Sequence, residues 1–332
     1  MTSLVDPRST DPGSAEFSGL RPGEILTRSF RVTAKDDASL GEAMLTAHAR
    51  VAGKPVASAE VPLTIVKPVE ITGPASPDLV AGRPTAVAVK VTSNLADTST
   101  TKVQAVVASG WTGNQPDLIT LNPGETKTVK IPITPAKDAF GNATVTLAAK
   151  GEFPTVSSTL PAVVSKPVTM VGEADLSTHE FALNPDRNND YPSVFPNDVT
   201  FTAGKSDPAT NWSYVQPGPA DAWAGSKQHT FRLTFNLGHA PSSDLTFTAW
   251  LYDTHDALPP ALTIGLNGAT VRNVQTAPGA GRGHRGADGI KPSTLNVTLP
   301  VATLKSGDNT LTVTTTSGSW MVYDAFGIRQ LP

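Results

Sequence analysis

Three short polar stretches and one group of aromatics hold the residue types from which a site could be built. Gly281-Arg-Gly-His-Arg-Gly286 has the G-x-G-x-x-G spacing that brings a backbone close to a dinucleotide phosphate. That chemistry needs a strand before the glycines and a helix opening on them. The next six residues, Ala287-Asp-Gly-Ile-Lys-Pro292, read as another turn, so an inter-strand loop is expected here instead. In such a loop Arg282, His284 and Arg285 are candidate donors to sugar hydroxyls or to a uronate carboxylate. Asp186-Arg-Asn188-Asn-Asp190 places oxygen ligands at alternate positions, as calcium loops do, without the Gly and the distal Glu of an EF-hand. Asp186, Asn188 and Asp190 are therefore candidate ligands of a structural calcium, set against a plain solvated turn. Asp253-Thr-His255-Asp256 could serve as a metal or acid/base cluster, but it comes directly after a strand end and no second cluster completes a ligand set, which favours a polar loop.

The aromatics divide by their surroundings. Trp212, Tyr214 and Trp223 lie in a stretch rich in Pro and Gly, where flat rings could stack on the apolar face of a pyranose or could be partly buried. Phe235 and Trp250 fall in alternating strand patterns and belong to a core, as does Trp111; Trp320 fits either role. No H-E-x-x-H and no G-x-S-x-G is present, and no pair of carboxylates stands out for glycoside hydrolysis, so no catalytic residue is nominated.

The elements that must hold these residues are strands. The 332 residues include 29 Pro and 27 Gly, with Thr and Val recurring throughout, a mixture suited to short strands joined by turns. A hydrophobic fraction of 39% is enough for packed cores. The net charge of −3, with no basic block, argues against nucleic acid and anionic membranes as partners. Apolar runs are strand-sized, and the first residues lack the basic and apolar regions of a signal peptide. The absence of cysteine excludes disulfides, thiolate zinc sites and cysteine nucleophiles; it fits a bacterial exported protein that relies on core size.

An internal repeat organises the first half. Leu121-Asn-Pro-Gly-Glu125 lies 101 positions after Leu20-Arg-Pro-Gly-Glu24, and Thr128–Thr134 lies over Thr27–Thr33 at the same offset. After one slipped residue, Gly141, Ala143, Val145 and Leu147 lie over Gly41, Ala43, Leu45 and Ala47. A repeat of this length is the size of an immunoglobulin-like sandwich. The second copy, 67–166, offers seven strand patterns, the last at 156–165; the first copy, 1–66, lacks counterparts for three of them. The expectation is a C-terminal piece of a larger protein, or else a linker-like start joined to a half-module. The second copy resembles the NEW3-type fibronectin- or immunoglobulin-like module found beside catalytic domains in bacterial glycosidases. The resemblance rests on the alternation of 85–93, Trp111, Leu121–Glu125 and Gly141, and implies a spacer without catalytic residues.

From about Lys166 the composition changes, with five of the six histidines and four of the five tryptophans beyond it. Strand patterns at 167–172, 198–203, 229–237, 244–252, 261–266, 295–301, 309–315 and 320–328 predict a jelly-roll sandwich. Phe201–Asp207 with Asn211–Tyr214, Leu304-Lys-Ser-Gly-Asp-Asn-Thr-Leu311 and Trp320–Ile328 together resemble the C-terminal carbohydrate-binding-like domain of rhamnogalacturonan lyases, polysaccharide lyase family 4. That resemblance implies a galactose-binding-like jelly roll whose lyase active site lies elsewhere. The sequence thus predicts an all-β protein of immunoglobulin-like sandwiches followed by a jelly roll over 167–332. Its expected role is a secreted, non-catalytic accessory region that binds a polysaccharide beside an upstream catalytic domain. The rival readings are a module that only packs on that domain, and a catalytic lyase or glycosidase fragment.

Overall fold

The computed structural model describes residues 2–4, 9–11, 14–19, 21–35, 38–113, 117–283 and 289–332, and the fold is nearly all β. Short strand pieces open the chain, ahead of a long hairpin of β1 (Gly41–Val51) and β2 (Lys54–Ile65). No residue described before Val69 is buried, and Met44, Val51, Val56 and Val61 stand exposed on this hairpin.

A sandwich comes next. One sheet pairs β3 (Val69–Thr72), β5 (Thr85–Ser93) and β8 (Thr126–Thr134). The other carries β6 (Ser99–Val106), β7 (Asp117–Leu121), β9 (Gly141–Lys150) and the first half of β10 (Val156–Gly172). Alternation does the sorting: Val87, Val89 and Val91 point into a core shared with Leu121, Ile131 and Leu147, while Ala88 and Lys90 face outward. Trp111 packs partly buried against this core. The short β4 (Asp78–Val80), which no alternation announces, pairs in parallel with β10.

The C-terminal part stacks two sheets. One holds β11 (Thr200–Thr202), β13 (His229–Leu237), β15 (Ala261–Leu266), β16 (Ala269–Gln275) and β18 (Gly307–Ser317). The other holds β14 (Leu245–Thr254), β17 (Ser293–Leu299) and β19 (Met321–Gln330), with the two-residue β12 (Val215–Gln216) on the edge of β19. Phe231, Phe235, Phe247, Leu311, Tyr323 and Phe326 fill the space between them. Strand β16, not anticipated from sequence, pairs with β15 across the Asn267–Gly268 turn.

The sequence suggested two strands, 156–165 and 167–172, on either side of a module boundary. They are one strand. Val156–Val164 pair with β9 of the sandwich, and Lys166–Gly172 pair with β19 of the jelly roll, so a single nine-stranded sheet runs through both. Every residue of β14 is buried, since one face meets the jelly-roll core and the other meets the sandwich end through Trp250, Val80, Ala174 and Ala325.

Candidate functional site

One pocket of about 430 Å³ gathers residues from four distant segments of the jelly roll. Its floor comes from the edge where β12 meets β19: Val215 lies opposite Val322, with Tyr214 before it. The floor is fixed from beneath. Gln216 donates to the carbonyls of His229 and Val313 at 3.0 and 2.8 Å and accepts from the Tyr323 hydroxyl at 2.6 Å. A buried network satisfied in this way leaves the strand pair no alternative register.

Two walls are aromatic. Trp223 sits in the turn of a 3-10 helix, Ala222–Ala224, with its ring edge-on to buried Tyr191 at 6.4 Å. Trp320 sits just before β19, its ring 5.6 Å from that of His255. A buried carboxylate, Asp221, joins the two walls: it accepts from the Gly218 N–H at 2.8 Å and from the Ser319 hydroxyl. His255 N–H donates in turn to the Trp320 carbonyl at 3.2 Å.

The third wall is the glycine-rich loop, and its described part is tied down by Asp253, which is 0% exposed. Asp253 Oδ1 accepts from Ala280 N–H at 2.7 Å; Oδ2 accepts from Arg282 and Gly283 N–H at 2.8 and 3.0 Å. A Cβ on Gly279 would overlap both the Asp253 carboxylate and the Thr254 carbonyl, and Gly281 takes φ +67°, so glycine is required at both. The result presents Arg282 at the pocket and brings Gly283 to 4.0 Å from the Trp320 ring, measured to where its Cβ would stand. Opposite it, the loop preceding α1 (Tyr191–Val194) contributes Asp186 and Asn188.

Five nominated residues therefore share one pocket: Asp186, Asn188, Tyr214, Trp223 and Arg282. Three expectations need correction. Trp212 is not a sugar platform. It is 0% exposed, wedged edge-on against Phe201, Phe231 and Tyr323 and tilted on Phe326 at 4.6 Å, because α2 (Pro208–Asn211) ends just before it and turns the ring inward. Tyr214 is 3% exposed, so although it lines the pocket it offers too little open ring area for a stacking platform. Asp190 does not line the pocket with Asp186 and Asn188: Arg187 engages it by two nitrogens at 2.8 and 2.7 Å. Among the described residues no group of three His, Asp or Glu could hold a metal ion. His284 and Arg285 lie outside the described residues. Asp253, for which the sequence favoured a polar loop over a metal or acid/base cluster, has its oxygens taken up by the loop amides.

Sequence reasoning left Trp320 undecided and missed the two carboxylate tethers. A hint for Asp253 was its place at a strand end that closes on a glycine-rich loop. The described lining offers two indoles, a guanidinium, an amide and one carboxylate, Asp186. That set can stack on an apolar face and exchange hydrogen bonds with hydroxyls. It does not assemble the two facing carboxylates of glycoside hydrolysis.

Residues 168–327 match the family model described as CBM-like, polysaccharide lyase family 4, domain III. In lyases this is a non-catalytic domain, and the match supports a carbohydrate-associated accessory type of domain for the jelly roll. No curated protein matches the chain. Among solved structures, a FixG-related protein from Vibrio parahaemolyticus aligns with 30% of this chain and 98% of its own, at 11% identity and a TM-score of 0.26. The CARDB domain of a Pyrococcus furiosus protein, in complex with di-metal ions, aligns with 29% of this chain and 84% of its own, at 21% identity and 0.23. Salmonella alpha-2-macroglobulin reacted with methylamine covers 71% of this chain over 14% of its own, at 11% identity and 0.28. At these scores none of the three bears on function.

Proposed function

We propose that the jelly roll is a glycan-binding module of a secreted carbohydrate-active protein, working beside a catalytic domain, with the NEW3-like sandwich as its spacer. The observation that carries the reading is the convergence of Trp223, Trp320 and Arg282 on one preformed pocket, with Asp186 and Asn188 on the facing wall. The family match to a carbohydrate-binding-like domain supports the ligand class. Two indoles supply stacking area, and Arg282 supplies a forked donor that biases the site toward acidic sugars. The pocket is open and polar, so the dissociation constant is expected on the order of 0.1–1 mM.

Titration calorimetry against rhamnogalacturonan, galactan and mannan fragments tests this. Binding is expected with at least one of them, lost in Trp320→Ala and weakened in Arg282→Ala with the melting temperature nearly unchanged. No heat from any fragment, or heat that both variants retain, overturns it. The chain alone is expected to cleave none of these polymers; cleavage that maps to one residue of 167–332 would establish the enzymatic alternative.

A further inference from the structure

A second cavity, of about 600 Å³, lies where the sandwich meets the outer face of the jelly roll. Thr85 and Lys90 of β5 line one side; Ala174, Trp250, Thr294 and Asp324 line the other. We infer that this junction is a separate binding site for a neutral polyhydroxylated ligand, a glycosyl unit, independent of the pocket proposed above.

The first support is an orphaned hydroxyl. Thr85 is 7% exposed, and its Oγ1 has no hydrogen-bond partner, although the residue lines the cavity. A buried hydroxyl left unmatched is unfavourable, and a ligand hydroxyl would match it as either donor or acceptor. Across the cavity, Asp324 is 3% exposed and receives Ser177 N–H at 3.1 Å. Burial, with the Asp175 and Glu180 charges adding to it, pushes the Asp324 carboxyl well above the usual carboxylate range. A carboxyl that resists ionisation in this way suits an uncharged, hydroxyl-bearing neighbour better than an anion.

The surroundings choose among ligand classes. An anion would find Lys90 on one wall, but also the Asp324 carboxyl in the lining, on which the Asp175 and Glu180 charges already act. Among the described residues no group of three His, Asp or Glu is placed to hold a metal ion. A neutral polyol suits a carboxyl that resists ionisation, an unmatched hydroxyl and the Thr294 side chain. The cavity is also preformed, because Arg329 bridges the two modules through the Asp78 carboxylate, so little ordering opposes binding.

The test is amide NMR on the full chain with four probes: the methyl glycosides of galactose, glucose, mannose and rhamnose. At least one is expected to shift Thr85, Ala86 and the Trp250 indole N–H, and to do so equally in Trp320→Ala, which disables the other pocket. Thr85→Val keeps the strand and removes the hydroxyl, and should weaken this binding about tenfold; Thr85→Ser should restore it. Shifts confined to Trp223, Trp320 and Arg282, shifts lost in Trp320→Ala, or no shifts at about 50 mM of any probe, far above ordinary millimolar affinities, would overturn the proposal.

Discussion

Asp253 carries no role at the pocket surface, yet it shapes the pocket. Three backbone N–H groups converge on its two oxygens, an arrangement that a carboxylate satisfies and an amide does not. In Asp253→Asn, either orientation of the new amide points an NH₂ at a backbone N–H. At least one loop bond is then lost, at about 1–3 kcal/mol. Hydrogen exchange should quicken at Ala280, Arg282 and Gly283 while the core amides keep their protection, and glycan affinity should fall with it. Unchanged exchange at those three amides would remove Asp253 from its place in the site. Trp212 teaches the opposite lesson. Its neighbours in sequence, Pro-rich and polar, look like a binding loop, but its indole fills the space between Phe231 and Phe326. Local composition reports where the backbone turns; it does not report which way a ring faces afterwards.

Among the elements, β19 shows how far local sequence reaches. The alternation of β13 was legible, because a half-buried strand writes its period into the chain. Strands β14 and β19, buried on both faces, showed instead as strand-length runs rich in apolar and β-branched residues. Strands β4 and β16 were not legible, since β4 is three residues long and β16 is largely exposed, so neither has a hydrophobic face to display. The pocket was half legible: its residue types stood out, while the tethers Asp221 and Asp253 act through contacts distant in sequence. The bulged part of β19 also places Asp324 against the acidic turn of Asp175 and Glu180. The folded-state pKa of Asp324 is raised, so the folded protein keeps a proton that the unfolded chain releases above about pH 4. This group therefore favours folding at low pH and opposes it as pH rises toward neutrality. Asp324→Asn, whose oxygen can still accept from Ser177, should raise the melting temperature at pH 7 and flatten its dependence between pH 4 and 7. A lower melting temperature at pH 7 would show that the carboxyl is ionised and paired. Asp198 runs the other way: burial pushes its carboxyl up, but the His229 ring and Thr230 N–H outweigh this and hold it low, so its contribution disappears only in acid. The β1–β2 hairpin has no buried residue, so its amides should exchange faster than those of β5 and β8 in a monomer, and equal protection would mean that a partner covers it.

At the scale of the whole molecule, one side chain closes the joint. Arg329 is 1% exposed and uses all five of its N–H donors: two on the Asp78 carboxylate, and one each on Thr248 at 2.8 Å, Ser165 at 3.0 Å and Asn296 at 3.1 Å. Its guanidinium also lies 5.0 Å from the centre of the Trp250 ring. Removing one partner of such a pair leaves the other stranded, so Arg329→Ala should lose about 3 kcal/mol and split one calorimetric transition into two. A single transition at an unchanged temperature would show that the shared sheet suffices alone. That sheet has a practical meaning for anyone dissecting the protein. The chain has the look of beads that could be parted near Lys166, but a cut there divides β10 and strips β19 of its neighbour from Ala325 to Gln330. The liberated jelly roll would carry a bare, flat edge of main-chain donors and acceptors, open to pairing with another copy of itself. Recombination between relatives should respect the same seam: a jelly roll moved to a new host must bring β10 along, or find a host strand to replace it.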